Sequence, residues 1–296
     1  MTSLTGQIAL SHWITLAPIH NLWTKPSPLP FRFSNRVSIQ EIPSPLLRPD
    51  TGDLLRDELH RRMDGATHCL MVEYEAPALD ASQAAAVAEI YNVMLSLWLA
   101  RPTALHFITV AHIRREGTGF VTRQAGTYNP FLAMPEHQPA EFEPADFKTA
   151  LSLYTTIAAL NAGLTIHSAT RALMRALTEP DWSLRYLLIW IAIEALFGAE
   201  SEITFRLSQR VGLFLGTTSS EAHALFKTTK KGYAWRSKVV HGMHLARLQT
   251  AESTILMGEI QDLIRPAMSK ILSTKVLIHT FDGRDREAYL DALAFR

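Results

Sequence analysis

The stretch Tyr233-Ala234-Trp235-Arg236-Ser237-Lys238-Val239-Val240-His241-Gly242 sets an arginine and a histidine five positions apart, and its reading decides the fold of the C-terminal half. Trp235 and the two valines suit a partly buried helix. Gly242 reads as the residue just past the helix end, where glycine adopts a left-handed conformation without strain. His241 then falls in the last turn, where unpaired carbonyls favour a protonated imidazole. At about 1.5 Å rise per residue, Arg236 and His241 lie roughly 7–8 Å apart along the axis and about 140° apart around it. They do not stack on one face. A long arginine side chain can still converge with the histidine at one pocket, and two copies of the stretch meeting across a dimer axis do so more easily.

The stretch resembles the Arg-x4–6-His signature of the HEPN superfamily, the higher eukaryotes and prokaryotes nucleotide-binding domain. The extended form Tyr-x-x-Arg-Ser-x-Val-Val-His-Gly is similar to the Apea-like HEPN group. The resemblance covers the C-terminal half only. It implies an all-helical domain, often dimeric, which in many members cuts RNA without a metal through the arginine and the histidine. Glu194 on an apolar helix upstream, and the helix bearing Arg206 and Arg210, add to it.

Outward from this stretch the second half reads as helical almost throughout. Apolar spacing predicts helices over 145–160, 166–177, 181–197 and 201–215, the last two closed by Gly198 and Gly216. Ser219 or Ser220 with Glu221 starts another, and Lys231 to His241 carries the motif. A long amphipathic helix is expected over 251–277, interrupted or kinked near Pro266. A last one is expected over 284–295. Short loops between sequential helices indicate an antiparallel bundle. His137 to Pro144 carries two prolines and two acidic residues and is the best boundary. The expected fold is therefore α+β: a mixed α/β domain over 1–143, of unknown role as a sensor or in substrate recognition, and a HEPN-like antiparallel helical bundle over 144–296.

The first half mixes periodicities. Strands are expected within 6–19, 31–42, 67–75 and 105–115, and helices over 53–63 and 81–100, the second capped by Asp80. Residues 117–135 read as a glycine- and proline-bearing loop or hairpin. His106 and His112 are an even number of positions apart, so one strand sets both on one side. No further metal ligands stand at suitable spacing, and they read as ordinary strand histidines. Arg114, Arg115 and Arg123 read either as a solvated hairpin or as an RNA- or partner-contacting loop.

The chain has 296 residues, 47% of them hydrophobic and 19% charged, with a formal net charge of +1. That is ordinary globular composition. It gives no chain-wide electrostatic case for nucleic acid, so an RNA site must be a local patch. The single cysteine, Cys69, excludes an internal disulfide and fits a reducing cytosol. No basic start followed by an apolar core suggests a signal peptide, and the apolar run from Tyr186 to Phe197 is too short to span a membrane, so no membrane role is expected.

RNA cleavage without a metal needs a group that takes the 2′-hydroxyl proton, a cation for the phosphate and a donor for the leaving 5′-oxygen. Histidine suits the proton work and arginine the phosphate. The resemblance thus assigns acid/base catalysis to His241 and the phosphate clamp to Arg236, with Glu194, Ser237 and Tyr233 in support. Lys231, Lys238 and Arg247 surround the motif and supply local phosphate affinity, or else form a solvated charged face. Glu194 reads either as half of a core ion pair, with Arg206, Arg210 or Arg236, or as a direct support to catalysis. The expected protein is a metal-independent endoribonuclease without a cofactor, acting as a toxin or defence effector. It would dimerise through the bundle and answer to an antitoxin or a trigger. The alternative is a catalytically inactive HEPN-like module for nucleotide or RNA binding or for dimerisation.

Overall fold

Seven consecutive buried residues, Trp13 to Ile19, mark a strand covered on both faces. This strand, β1 (Ser11–Ile19), is the hub of the N-terminal part. The computed structural model describes residues 10–24, 28–43, 59–63, 65–79, 82–117, 119–126, 130–131, 141–242 and 250–295. The chain divides into two compact units. One comprises Met1–Met94, Leu105–Leu132 and Pro139–Phe147, the other Leu95–Ala104, Ala133–Gln138 and Lys148–Arg296.

In the first unit β1 is joined by β2 (Trp23–Thr24), β3 (Phe31–Arg32), β4 (Val37–Glu41), β5 (His68–Ala76), β6 (Val110–Glu116), β7 (Gly119–Gly126) and β8 (Glu141–Phe142). Six of these form one antiparallel sheet in the order β3-β4-β5-β1-β6-β7, and β2 pairs with β8 in parallel. Alternation sorts the side chains of β1. Ile14 and Leu16 join Cys69, Met71, Ala111 and Ile113 in one apolar cluster, which Leu59 and Met63 complete. Thr15 faces the other way. Its hydroxyl lies 3.3 Å from the Tyr74 phenol and 2.8 Å from Nδ1 of His112. His112 Nε2 meets Gln83 Nε2 at 3.1 Å, and Gln83 donates to Gln124.

His106 and His112 do not share a strand. His106 bridges His20 and stacks on its ring at 4.8 Å, whereas β6 begins only at Val110. The pairing partner changes between them, from the end of β1 to its middle, and breaks the period of two. Arg114 and Arg123 both donate to Glu116 within the β6–β7 hairpin, and Arg115 is exposed. Asp80, most of the 53–63 helix and most of the 117–135 loop beyond β7 lie outside the described residues.

Helix α1 (Gln83–Ala100) has the length and composition to cross a membrane, but 56% of it is buried within the fold, as in a core helix. The helices that follow are α2 (Pro144–Ala158), α3 (Thr165–Leu177), α4 (Trp182–Phe197), α5 (Ile203–Leu215), α6 (Ser219–Val240), α7 (Thr250–Leu272), α8 (Lys275–Asp282) and α9 (Arg286–Ala292), the last extended by a 3₁₀ turn over Leu293–Phe295. The protein is thus an N-terminal antiparallel sheet followed by a helical region. Asp181 caps α4 by accepting from the Leu184 amide at 2.9 Å. Asp282 accepts from the Ile166 amide at 2.8 Å and so serves the start of α3.

Two helices differ from their sequence reading. The segment after Ser219 and the motif segment are one helix of 22 residues. Nothing in Lys227 to Lys231 breaks it, and the Thr229 hydroxyl returns to the Leu225 carbonyl at 2.7 Å. Helix α7 runs through Pro266 and stops at Leu272; Lys275 opens a separate helix.

Gly232 sits inside α6, where glycine is costly, because α4 comes too close for a side chain. A Cβ there would lie 2.8 Å from Cζ2 of Trp190, and the Tyr186 phenol donates to the Gly232 carbonyl at 2.9 Å. Gly232→Ala is expected to lower stability by about 1–3 kcal/mol, read as a drop in the denaturant midpoint; an unchanged midpoint would contradict this contact. A second expectation concerns His112. The side chain is 0% exposed, and burial lowers its pKa from 6.5 to about 4. The unfolded chain therefore takes up the proton first as pH falls. Stability is complete above the unfolded value and declines between about pH 6.5 and about 4. The melting temperature of the wild type should fall more steeply across that interval than that of His112→Gln; equal slopes would refute it.

Candidate functional site

Tyr186, Trp190 and Glu194 recur every fourth residue on α4, which places them in one row along the helix. Gly232 and Arg236 hold the same spacing on α6. The Tyr186 bond to Gly232 therefore sets the register that brings Glu194 to Arg236. Nε of Arg236 lies 3.1 Å from Oε1 of Glu194, and Nη2 donates to Oε2 at 3.3 Å. The guanidinium also lies over the Tyr233 ring, 5.5 Å from its centre, and that ring meets Trp190 edge-on at 5.4 Å. Burial, and after it the charge of Glu194, raises the Tyr233 phenol above its ordinary value.

These three side chains line an open cavity of about 520 Å³. The end of α4 and the segment after it supply Glu194 and residues 198–200, α5 supplies Ile203, α6 supplies Tyr233 and Arg236, and α9 supplies Arg286 and Glu287. Three carboxylates face two guanidiniums, so the lining carries a net charge of −1. Arg286 donates to the Ala195 carbonyl at 2.7 Å and to Glu287 at 3.1 Å. Glu287 in turn accepts from Arg210 at 2.7 Å, and Asp291 accepts from the same nitrogen at 2.9 Å.

Of the residues singled out in the sequence, the cavity joins Glu194, Tyr233 and Arg236. Four others are placed elsewhere. His241 caps α6 on the exposed surface, its amide donating to the Ser237 carbonyl at 3.1 Å, and is not part of the cavity lining. Gly242 follows at φ +69°, the left-handed end that the sequence required. Ser237 is exposed. Lys231 is paired with Glu259 at 2.8 Å, and Lys238 lies over the Trp235 ring at 4.1 Å. Arg247 lies outside the described residues. Among the candidate partners of Glu194, Arg236 takes the place; Arg206 reaches Glu202 and Asp291, and Arg210 the carboxylates of α9. Arg286 and Glu287 escaped the sequence reading. They stand some fifty positions beyond the motif, and no local pattern links them to it.

No family model, no curated protein and no solved structure matches this chain. The chemistry of the cleft therefore carries the functional argument.

The pairing of α9 generates a prediction. Arg210 has only 3% of its side chain exposed and is served by two carboxylates. Glu287→Gln or Asp291→Asn alone leaves one of them and should cost little. The double substitution leaves a buried guanidinium without a carboxylate and should cost about 3 kcal/mol, more than the two single losses together. Urea unfolding of the three variants tests this; simple additivity would refute it.

Proposed function

We propose that the helical region is a HEPN-like bundle that cleaves RNA, with Arg236 holding the scissile phosphate and His241 moving the proton. The observation that supports this best is that one helix end offers both groups to solvent, Arg236 from an open cavity and His241 from the exposed cap. In this reading His241 accepts the 2′-hydroxyl proton, the 2′-oxygen attacks phosphorus, and the 5′-oxygen leaves with a 2′,3′-cyclic phosphate behind it. One imidazole cannot serve both sides of an in-line displacement. A second copy of the chain supplies the other, which makes the active form a homodimer. The outer row of α4, where Leu184 and Ile191 are about half exposed, offers an apolar face for such pairing. The protein then acts as a cytoplasmic toxin or defence effector, restrained until an antitoxin or trigger releases it.

A second reading, a module that binds RNA or nucleotide without cutting, has its own support. Arg236 is already engaged by Glu194, and the cavity is net negative. The two readings separate in one experiment. Purified protein incubated with RNA in EDTA should yield new ends bearing cyclic phosphate. His241→Ala and Arg236→Ala should each lower the rate by roughly 100-fold or more. Cleavage that survives His241→Ala ends the nuclease reading; binding without cleavage, weakened by Arg236→Ala, supports the second.

A further inference from the structure

We propose that Arg236 belongs to an oxyanion site that Glu194 masks, so that a phosphate group binds by displacing this carboxylate from the guanidinium. The proposal rests on reading the cleft as the phosphate-contacting part of the RNA site above.

The two guanidiniums of the cavity are held in different ways. Arg286 is tied to a backbone carbonyl and to Glu287, which the nearly buried Arg210 also grips. Arg236 has one carboxylate and one aromatic face. Its Nε and Glu194 Oε1 are close, yet neither atom has a hydrogen-bond partner, so the contact is an ion pair without alignment. The remaining bond, at 3.3 Å, is at the long end for a nitrogen donor. Both side chains are more than a quarter exposed, so water can solvate a released carboxylate. Tyr233 stands beside the pair, near enough to Glu194 for the carboxylate's charge, after burial, to raise its phenol.

A phosphate presents two oxygens to the same guanidinium fork and carries more charge. While Glu194 is in place, the net charge of −1 opposes its entry. A pair that served only to fix helix register would need no open cavity. The Tyr186 bond to Gly232, fully buried, already performs that task.

The test uses the full-length protein titrated with pyrophosphate by calorimetry, at constant ionic strength. Glu194→Gln should bind roughly tenfold tighter than the wild type, and Glu194→Gln/Arg236→Ala should lose that gain. Glu194→Asp, which keeps the charge, should stay within roughly twofold of the wild type. Glu194→Ser, neutral and smaller, repeats the comparison if the glutamine variant does not fold. Equal or weaker binding by the neutral variants, or a gain that persists without Arg236, overturns the mask. Failure of the nuclease reading looks different: RNA cleavage is indifferent to His241→Ala while the pyrophosphate results stand.

Discussion

The close approach of α4 and α6 at Gly232 is the constraint on which the candidate site depends. The Trp190 ring occupies the space that any side chain at 232 would need, and the Tyr186 phenol closes the contact with a hydrogen bond. Burial pushes that phenol far above its ordinary pKa, so it remains a donor. Once the register is set, the next turn of each helix brings Glu194 and Arg236 together. The ion pair is thus a consequence of packing. It sits where the packed surface opens into the cavity, which leaves it accessible to a ligand.

Cations around the cavity and along its helices enter internal pairs. Lys231, Arg206, Arg210, Arg236 and Arg286 each face a carboxylate. Of the basic residues near the motif, Lys231 is taken up by Glu259 and Lys238 lies over Trp235. At these paired cations phosphate affinity has to come from exchange of partners, and at Arg236 the ion pair leaves Nε without a hydrogen bond and lines an open cavity. The carboxylates of α9 act in the opposite sense. They satisfy a buried arginine and fix the C-terminal helix as a wall of the cavity.

The N-terminal unit shows the same division between apolar and polar packing. One side of β1 joins the apolar cluster of Leu16, Cys69 and Met71. The other side carries Thr15, Tyr74 and His112, whose polar atoms satisfy one another and reach Gln83 and Gln124. Buried polar atoms are tolerable in such a place only when they are paired. This chain of bonds uses His112 as a neutral bridge.

The sequence by itself determined the class of each half, because period two and the four-residue repeat are local properties of a chain. It fixed the end of α6 at Gly242, since a left-handed residue was required there. It also marked Glu194 as a carboxylate in need of a partner, from the apolar residues around it. It did not reveal which arginine would answer, because Arg206, Arg210 and Arg236 all had the reach. Packing decided that: Gly232 admitted Trp190, and the shared register delivered Arg236. Only the tertiary structure brought Arg286 and Glu287 into the cavity and left His241 on the open surface, since those placements depend on contacts between helices distant in the chain.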